Sequence, residues 1–270
     1  MFRYTKIAII ISYLISSVCS LTAQGQIDTS YYFIAPPAIQ KMVIPGKAPK
    51  LTIQLSFNYN TGLMELAAND NTHFSKADFE NGRNFGTRYG YGFSLTGKIS
   101  LHKEGNARLN VTTSYNRFQS NFVIRESPEG KVGYNVFSGS LGLENNFNPD
   151  KKLKPYVGFD IVTSLISGST TLKTDTASLK FDIKNSVRIG LALNLGIEYA
   201  FNDKVGFNCG IKFTHANLLL KKSKESTNPN EIYLNDESVT PSIPFSGSKQ
   251  FFFSSFFAGM NFYIGMKSKK

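Results

Sequence analysis

The sequence predicts an all-β protein: a closed antiparallel up-and-down transmembrane β-barrel, most simply of eight strands. Three observations predict it. Apolar and polar residues alternate with period two in eight segments. Most are near the roughly 9–11 residues that a tilted strand needs to cross a bilayer, against about 5–6 for an ordinary strand. The polar faces are rich in Gly and small residues, as a narrow barrel interior requires. Short and long connectors alternate, as in outer-membrane barrels with short periplasmic turns and longer extracellular loops. A soluble β-sandwich shares the period but has no need of the other two features.

Residues 1–25 precede the first segment and read as a signal peptide. MFRYTK supplies Arg3 and Lys6, IAIIISYLISSV is an apolar core too short for a membrane helix, and LTAQGQ offers small residues for cleavage. The expected mature chain starts near Gln24 or Gln26 and resides in the outer membrane of a Gram-negative cell. It keeps one cysteine, Cys209, which has no internal disulfide partner. Residues 26–50 hold APPAIQ and VIPGKAPK, with four Pro that disfavour a central strand, and are expected to form an N-terminal periplasmic segment.

The barrel is expected over residues 51–267. Its segments fall at 51–59, 89–101, 108–116, 137–144, 156–165, 187–201, 205–214 and 256–266. In the first, Leu51, Ile53, Leu55, Phe57 and Tyr59 face one way and Thr52, Gln54, Ser56 and Asn58 the other. VRIGLALNLGIEYAF, at 187–201, repeats the scheme over fifteen positions with Arg188, Asn194 and Glu198 on its polar side. KEGN, NPDKKLK and Asn202-Asp203-Lys204 are the short or medium links; 61–87, 119–132, 169–184 and 220–250 are the long ones. Ten strands result if 171–186 or 31–45 join the sheet. In hydrocarbon an open sheet edge is costly, so the first strand must pair with the last, FFFSSFFAGMNFYIGMK.

KLKPYVGFDI, NLGIEYAFNDKVGFNCGIKF and GMNFYIGM resemble small outer-membrane β-barrel proteins, in particular the outer membrane β-barrel and PorT-like families of Bacteroidota. The resemblance covers about residues 50–267. It implies the architecture and a link to secretion-system assembly, and carries no short functional motif. Gly259, Phe262 and Ile264 resemble the C-terminal signal read by the barrel-assembly machinery. The family pattern ends on the last aromatic, whereas here MKSKK follows.

Several residues are candidates for chemistry. Lys98, Arg108, Glu144, Asp160, Arg188, Glu198 and Lys212 lie on the inner face and are expected to form a salt-bridged plug, since a lone buried charge is expensive. The alternative use of such a network is a gate over a narrow pore for small solutes. His73, His102 and His215 have no metal-ligand spacing, and no metal or cofactor is expected. His215 invites comparison with barrel enzymes that cleave lipid A, but Asn217 stands where their pattern wants Ser, so no enzyme activity is expected; a lipid-modifying enzyme is the third class.

The long loops carry Lys221, Lys222, Lys224 and Tyr233 as surface candidates, because recognition concentrates on loops of rigid scaffolds. Expected partners are outer-membrane lipid and lipopolysaccharide, the barrel-assembly machinery, and a protein met through the loops or the periplasmic face. The formal charge is +11, but the basic residues are scattered, so nucleic acid is not an expected partner. The expected role is structural or interactive.

Overall fold

The computed structural model describes residues 48–67, 86–123, 129–173, 178–219, 227–234 and 250–265. The expected signal peptide and most of the expected periplasmic segment lie outside these residues. The described chain is built from strands β1 (Leu51–Leu63), β2 (Tyr89–Ser100), β3 (Ala107–Val123), β4 (Glu129–Asn146), β5 (Leu153–Lys173), β6 (Ser178–Ala200), β7 (Val205–His215), β8 (Glu231–Ile232) and β9 (Phe252–Ile264), with a short 3-10 turn at Met64–Ala67. Eight long antiparallel strands close a ring: β1 to β6 pair in sequence, β6 pairs with β7, β7 with β9, and β9 with β1. The first and last long strands thus close the barrel, from Leu51 against Ile264 to Leu63 against Phe252. β8 is a two-residue parallel addition to β6 at Asp182 and Ile183.

The start of β1 and the end of β9 lie on the side of the turns 101–106, 147–152 and 201–204, the side that is periplasmic in outer-membrane barrels. Gly105, at φ 78°, makes the first of these turns, and its N–H donates to the His102 carbonyl at 3.1 Å. Strict alternation of short and long links does not survive. The outer links 124–128 and 174–177 are as short as the periplasmic turns, because β3 to β6 continue through the stretches expected to be loops. Likewise 178–186 joins the sheet as an extension of β6, so the ring keeps eight strands.

The ring is therefore uneven. β1, β2, β7 and β9 have 13, 12, 11 and 13 residues. β3, β4, β5 and β6 have 17, 18, 21 and 23. The four long strands form a wall that rises beyond the apolar band. A β-bulge in β6, where Lys184 and Asn185 oppose Ser167, bends that wall just above the band.

The sidedness of the strands locates the membrane. In the lower half, outward positions are apolar and exposed: Leu55, Leu95, Val111, Leu141, Ile161 and Leu195 all lie between 44% and 58% exposure. An aromatic level tops this band, with Phe57, Phe93, Tyr115 and Phe137 in successive register. The next outward row up is Tyr59, Tyr91, Arg117, Asn135 and Ser167. The Tyr115 hydroxyl reaches up to donate to Asn135 at 2.8 Å, and Gln119 donates down to the Tyr91 hydroxyl at 3.2 Å. Aromatic rings with polar tips mark a membrane interface, and this row is where hydrocarbon ends.

Candidate functional site

The candidate site is the barrel interior, organised in three levels. At the periplasmic end, Arg108 on β3 lies directly opposite Glu144 on β4 and pairs with it. Glu198 on β6 projects across the lumen to accept from Lys98 at 2.8 Å and from Arg108 at 2.8 and 3.2 Å. Lys98 also lies 3.0 Å from Glu144. All four side chains are at most 2% exposed. Two carboxylates and two cations share each other's hydrogen bonds, the condition under which buried charge is tolerated. Because β2 and β3 are joined to β6, the cluster is a cross-lumen staple.

Aromatic rings complete this level. The Lys98 ammonium sits 3.9 Å from the centre of the Tyr156 ring, and Lys154 sits 4.9 Å from that of Tyr263. Tyr156 lies over Gly196, where any Cβ would strike its ring and hydroxyl. Lys154 is fully buried and opposes Glu198 in the β5–β6 register. It lies in NPDKKLK, which reads as a link in the sequence, so the interior position departs from that expectation. It shares the inward phase of Tyr156, Gly158 and Asp160, so extending the alternation by two residues finds it.

The middle level is polar. Asp160 accepts from Lys212 at 2.8 Å and from Asn194 at 2.9 Å. Asn58 and Asn60 both donate to Asn116, at 3.3 and 2.9 Å, and Ser56 donates to Asn208, which donates to Asn261. A cavity of about 50 Å³ lies between Asn58, Thr96, Asn110, Asp160, Asn194 and Lys212. That space suits a few water molecules held by polar partners.

The outer level is apolar. Phe118, Tyr134, Val136, Ile166 and Ile183 point inward from the wall, and Leu66, Ala216, Ile232, Leu234 and Phe251 fold over them from the loops. Phe118 packs edge-on against Phe251 and Phe253, with ring centres 5.5 and 5.0 Å apart. Arg188 joins this plug to the levels below: its guanidinium donates to the Leu234 carbonyl at 2.6 Å. Lys184 pairs with Glu231 at 2.5 Å and ties the same segment to β6.

The seven charges expected to form one network therefore separate. Lys98, Arg108, Glu144 and Glu198 form one cluster, Asp160 and Lys212 a second, and Arg188 reaches up to the Leu234 carbonyl of the outer level. Tyr233, expected on a surface loop, is half-buried between Ile232 and Leu234 of the plug. Lys221, Lys222 and Lys224 lie outside the described residues, as does His73. His102 is exposed in a periplasmic turn. His215 ends β7 beside the Phe252 ring, and Asn217 is fully buried, accepting the Phe251 N–H at 2.6 Å. Gly259 faces inward against β1, while Phe262 and Ile264 face outward. Among the described residues no group of His, Cys, Asp and Glu is arranged to hold a metal.

Residues 49–236 match the family model for the outer membrane protein beta-barrel domain. The chain belongs to that family. It is an outer-membrane β-barrel, as the two-sided strands require. Among solved structures, OprG of Pseudomonas aeruginosa is similar at 13% identity and a TM-score of 0.45, covering 82% of this chain and 98% of that one. Neisserial surface protein A is similar at 13% identity and a TM-score of 0.42, covering 80% and 99%. The outer membrane protease OmpT of Escherichia coli is similar at 11% identity and a TM-score of 0.38, covering 81% and 96%. No curated protein matches the chain.

Proposed function

We propose that this outer-membrane barrel is a non-conducting, non-enzymatic scaffold that acts through its outer face. The observation that carries this reading is the filled lumen: a four-charge staple below, an asparagine-rich middle, and an apolar plug above. Ion passage would require breaking the staple, and breaking a buried pair costs roughly 3–5 kcal/mol. It would also require water to enter a packed aromatic cluster. Planar-bilayer recording of the refolded protein is expected to show no unitary conductance; regular channel steps would replace this reading with the narrow pore.

The outer face offers a rigid wall and the loops beside it as an interaction surface. The PorT-like resemblance supports a partner in secretion-system assembly. Loss of a secreted cargo on deletion of the gene is the expected phenotype, and unchanged secretion removes that partner. Phe262 and Ile264, outward on the closing strand, are the proposed contacts of the barrel-assembly machinery during insertion. The lipid-modifying reading is disfavoured because Asn217 is committed to the Phe251 backbone.

A further inference from the structure

The outward face of the wall changes character at one row. Below it stand Tyr115, Phe137, Leu165 and Val187; above it stand Arg117, Lys131, Lys173 and Lys180, all exposed. Their heights follow from register. Arg117 is one outward step above Tyr115, and Lys131 and Lys180 are aligned through Asn121 and Thr171 two further steps up. At about 3.4 Å per residue and a tilt near 40°, Arg117 stands roughly 5 Å above Tyr115 on its own strand, Lys131 roughly 15 Å above Phe137 on β4 and Lys180 a similar height above Val187 on β6. That is the depth of the phosphate and inner sugar layer of the outer leaflet.

The distribution is one-sided. The acids on the same face are Glu129, opposite Lys173 in register, and Asp182, paired with Lys180 at 2.9 Å. The wall keeps an excess of two positive charges, and Arg88 stands exposed beside it at the outer end of β2. Among the described residues, β1, β7 and β9 present no outward Lys or Arg, since Lys212 points inward to Asp160. Arg117 and Lys131 have no carboxylate within ion-pairing distance among the described residues, so their charge is available to the layer outside.

We propose that the outward face of β3 to β6, with Arg117 nearest the hydrocarbon and Lys131, Lys173 and Lys180 above it, is a binding surface for the phosphates of outer-leaflet lipopolysaccharide. Acyl chains pack on Leu141, Ile161 and Phe137 below, while the cations meet the lipid phosphates immediately above. The same molecule thus bridges the apolar and basic parts of one continuous surface. The wall is a lipopolysaccharide contact in addition to the one expected at Lys221, Lys222 and Lys224, which lie outside the described residues.

Native mass spectrometry of the refolded barrel tests this with three lipids: lipid A, lipid A stripped of phosphate, and phosphatidylglycerol. The expected result is retention of lipid A at least about tenfold above the other two, weakening as salt rises; each cation near such a surface is worth about fivefold. Replacing Arg117, Lys131, Lys173 and Lys180 with Gln should abolish the preference. Replacing the periplasmic Lys103, Lys151, Lys152 and Lys204 with Gln removes the same charge and should leave it intact. Equal retention of phosphate-free lipid A, or equal loss in both variants, overturns the proposal. Equal retention of phosphatidylglycerol overturns lipopolysaccharide as the ligand. The lipid comparison on the unaltered protein decides the matter even where a variant does not fold, and a boiling-dependent gel shift separately checks that each barrel has formed.

Discussion

The lower and upper halves of this barrel are built inside out relative to each other. In the lower half the inner row Ser114, Ser138, Ser164 and Arg188 is polar, and the outer row Tyr115, Phe137, Leu165 and Val187 is apolar. Four residues higher the inner row is Phe118, Tyr134, Gly168 and Ile183, and two residues higher the outer row holds Arg117, Asn135 and Ser167. The same four strands run through both halves. What changes is the solvent. Hydrocarbon outside leaves apolar side chains content at the surface and requires the polar groups to satisfy one another within. Water outside restores the hydrophobic effect, and an apolar core forms within.

The largest effects should come from breaking either half by its own logic. In the lower half, Glu198→Gln leaves Lys98 and Arg108 sharing Glu144. A loss of roughly 3–5 kcal/mol is expected in urea unfolding of the barrel in lipid vesicles. Adding Lys98→Met to that variant should recover part of the loss, because it removes the stranded charge. A non-additive recovery of zero would mean that the four charges do not act as one unit. In the upper half, Phe251→Ala removes the ring that meets Phe118 and Tyr134. A local loss of similar size is expected, roughly 3–5 kcal/mol. It should appear as faster proteolysis above the aromatic level while the lower half keeps its boiling-dependent gel shift.

The boundary itself can be sharpened on one strand. Ile161 and Ser169 both face outward on β5, one within the apolar band and one above it. Ile161→Lys should cost roughly 2–4 kcal/mol in lipid vesicles, and Ser169→Lys between about zero and 1. Equal costs would mean that the hydrocarbon edge does not lie between them, and the wall would have to be placed deeper in the membrane.

This boundary also explains how much was legible in the sequence. Every strand of the ring was found, with the correct inward and outward phase, because a lipid-facing strand alternates as regularly as any. The upper wall falls largely in stretches, 119–132 and 169–184, that read as long links in the sequence. In V-x-Y-x-V, at 132–136, the apolar residues sit on even positions, while Phe137, Leu141 and Leu143 sit on odd ones. A phase flip of that kind looks like the end of a strand. In β4 no residue is inserted or lost there; the side facing the core simply exchanges its chemistry with the side facing out. The separation of the interior charges was not legible, because it depends on which strands face each other across the lumen. Glu198 meets Lys98 a hundred residues away in the chain.

The smallest effect concerns the end of β7, where the two halves meet on the short side of the ring. A pair two residues apart shares a face only while the chain is extended. β7 ends at His215, and the chain then turns, so Asn217 is carried into the plug while His215 remains half-exposed beside Phe252. Asn217→Ser therefore installs the residue that a lipid-cleaving pattern wants, but in a fully buried place where it cannot meet lipid. The expected result is a loss of about 1–3 kcal/mol, from the weakened bond to the Phe251 N–H, and no change in lipid A mass. Stability loss without new chemistry is what a structural Asn predicts. A deacylated lipid A species in that variant would show that the outer end of β7 faces the membrane, and that the plug does not cover it.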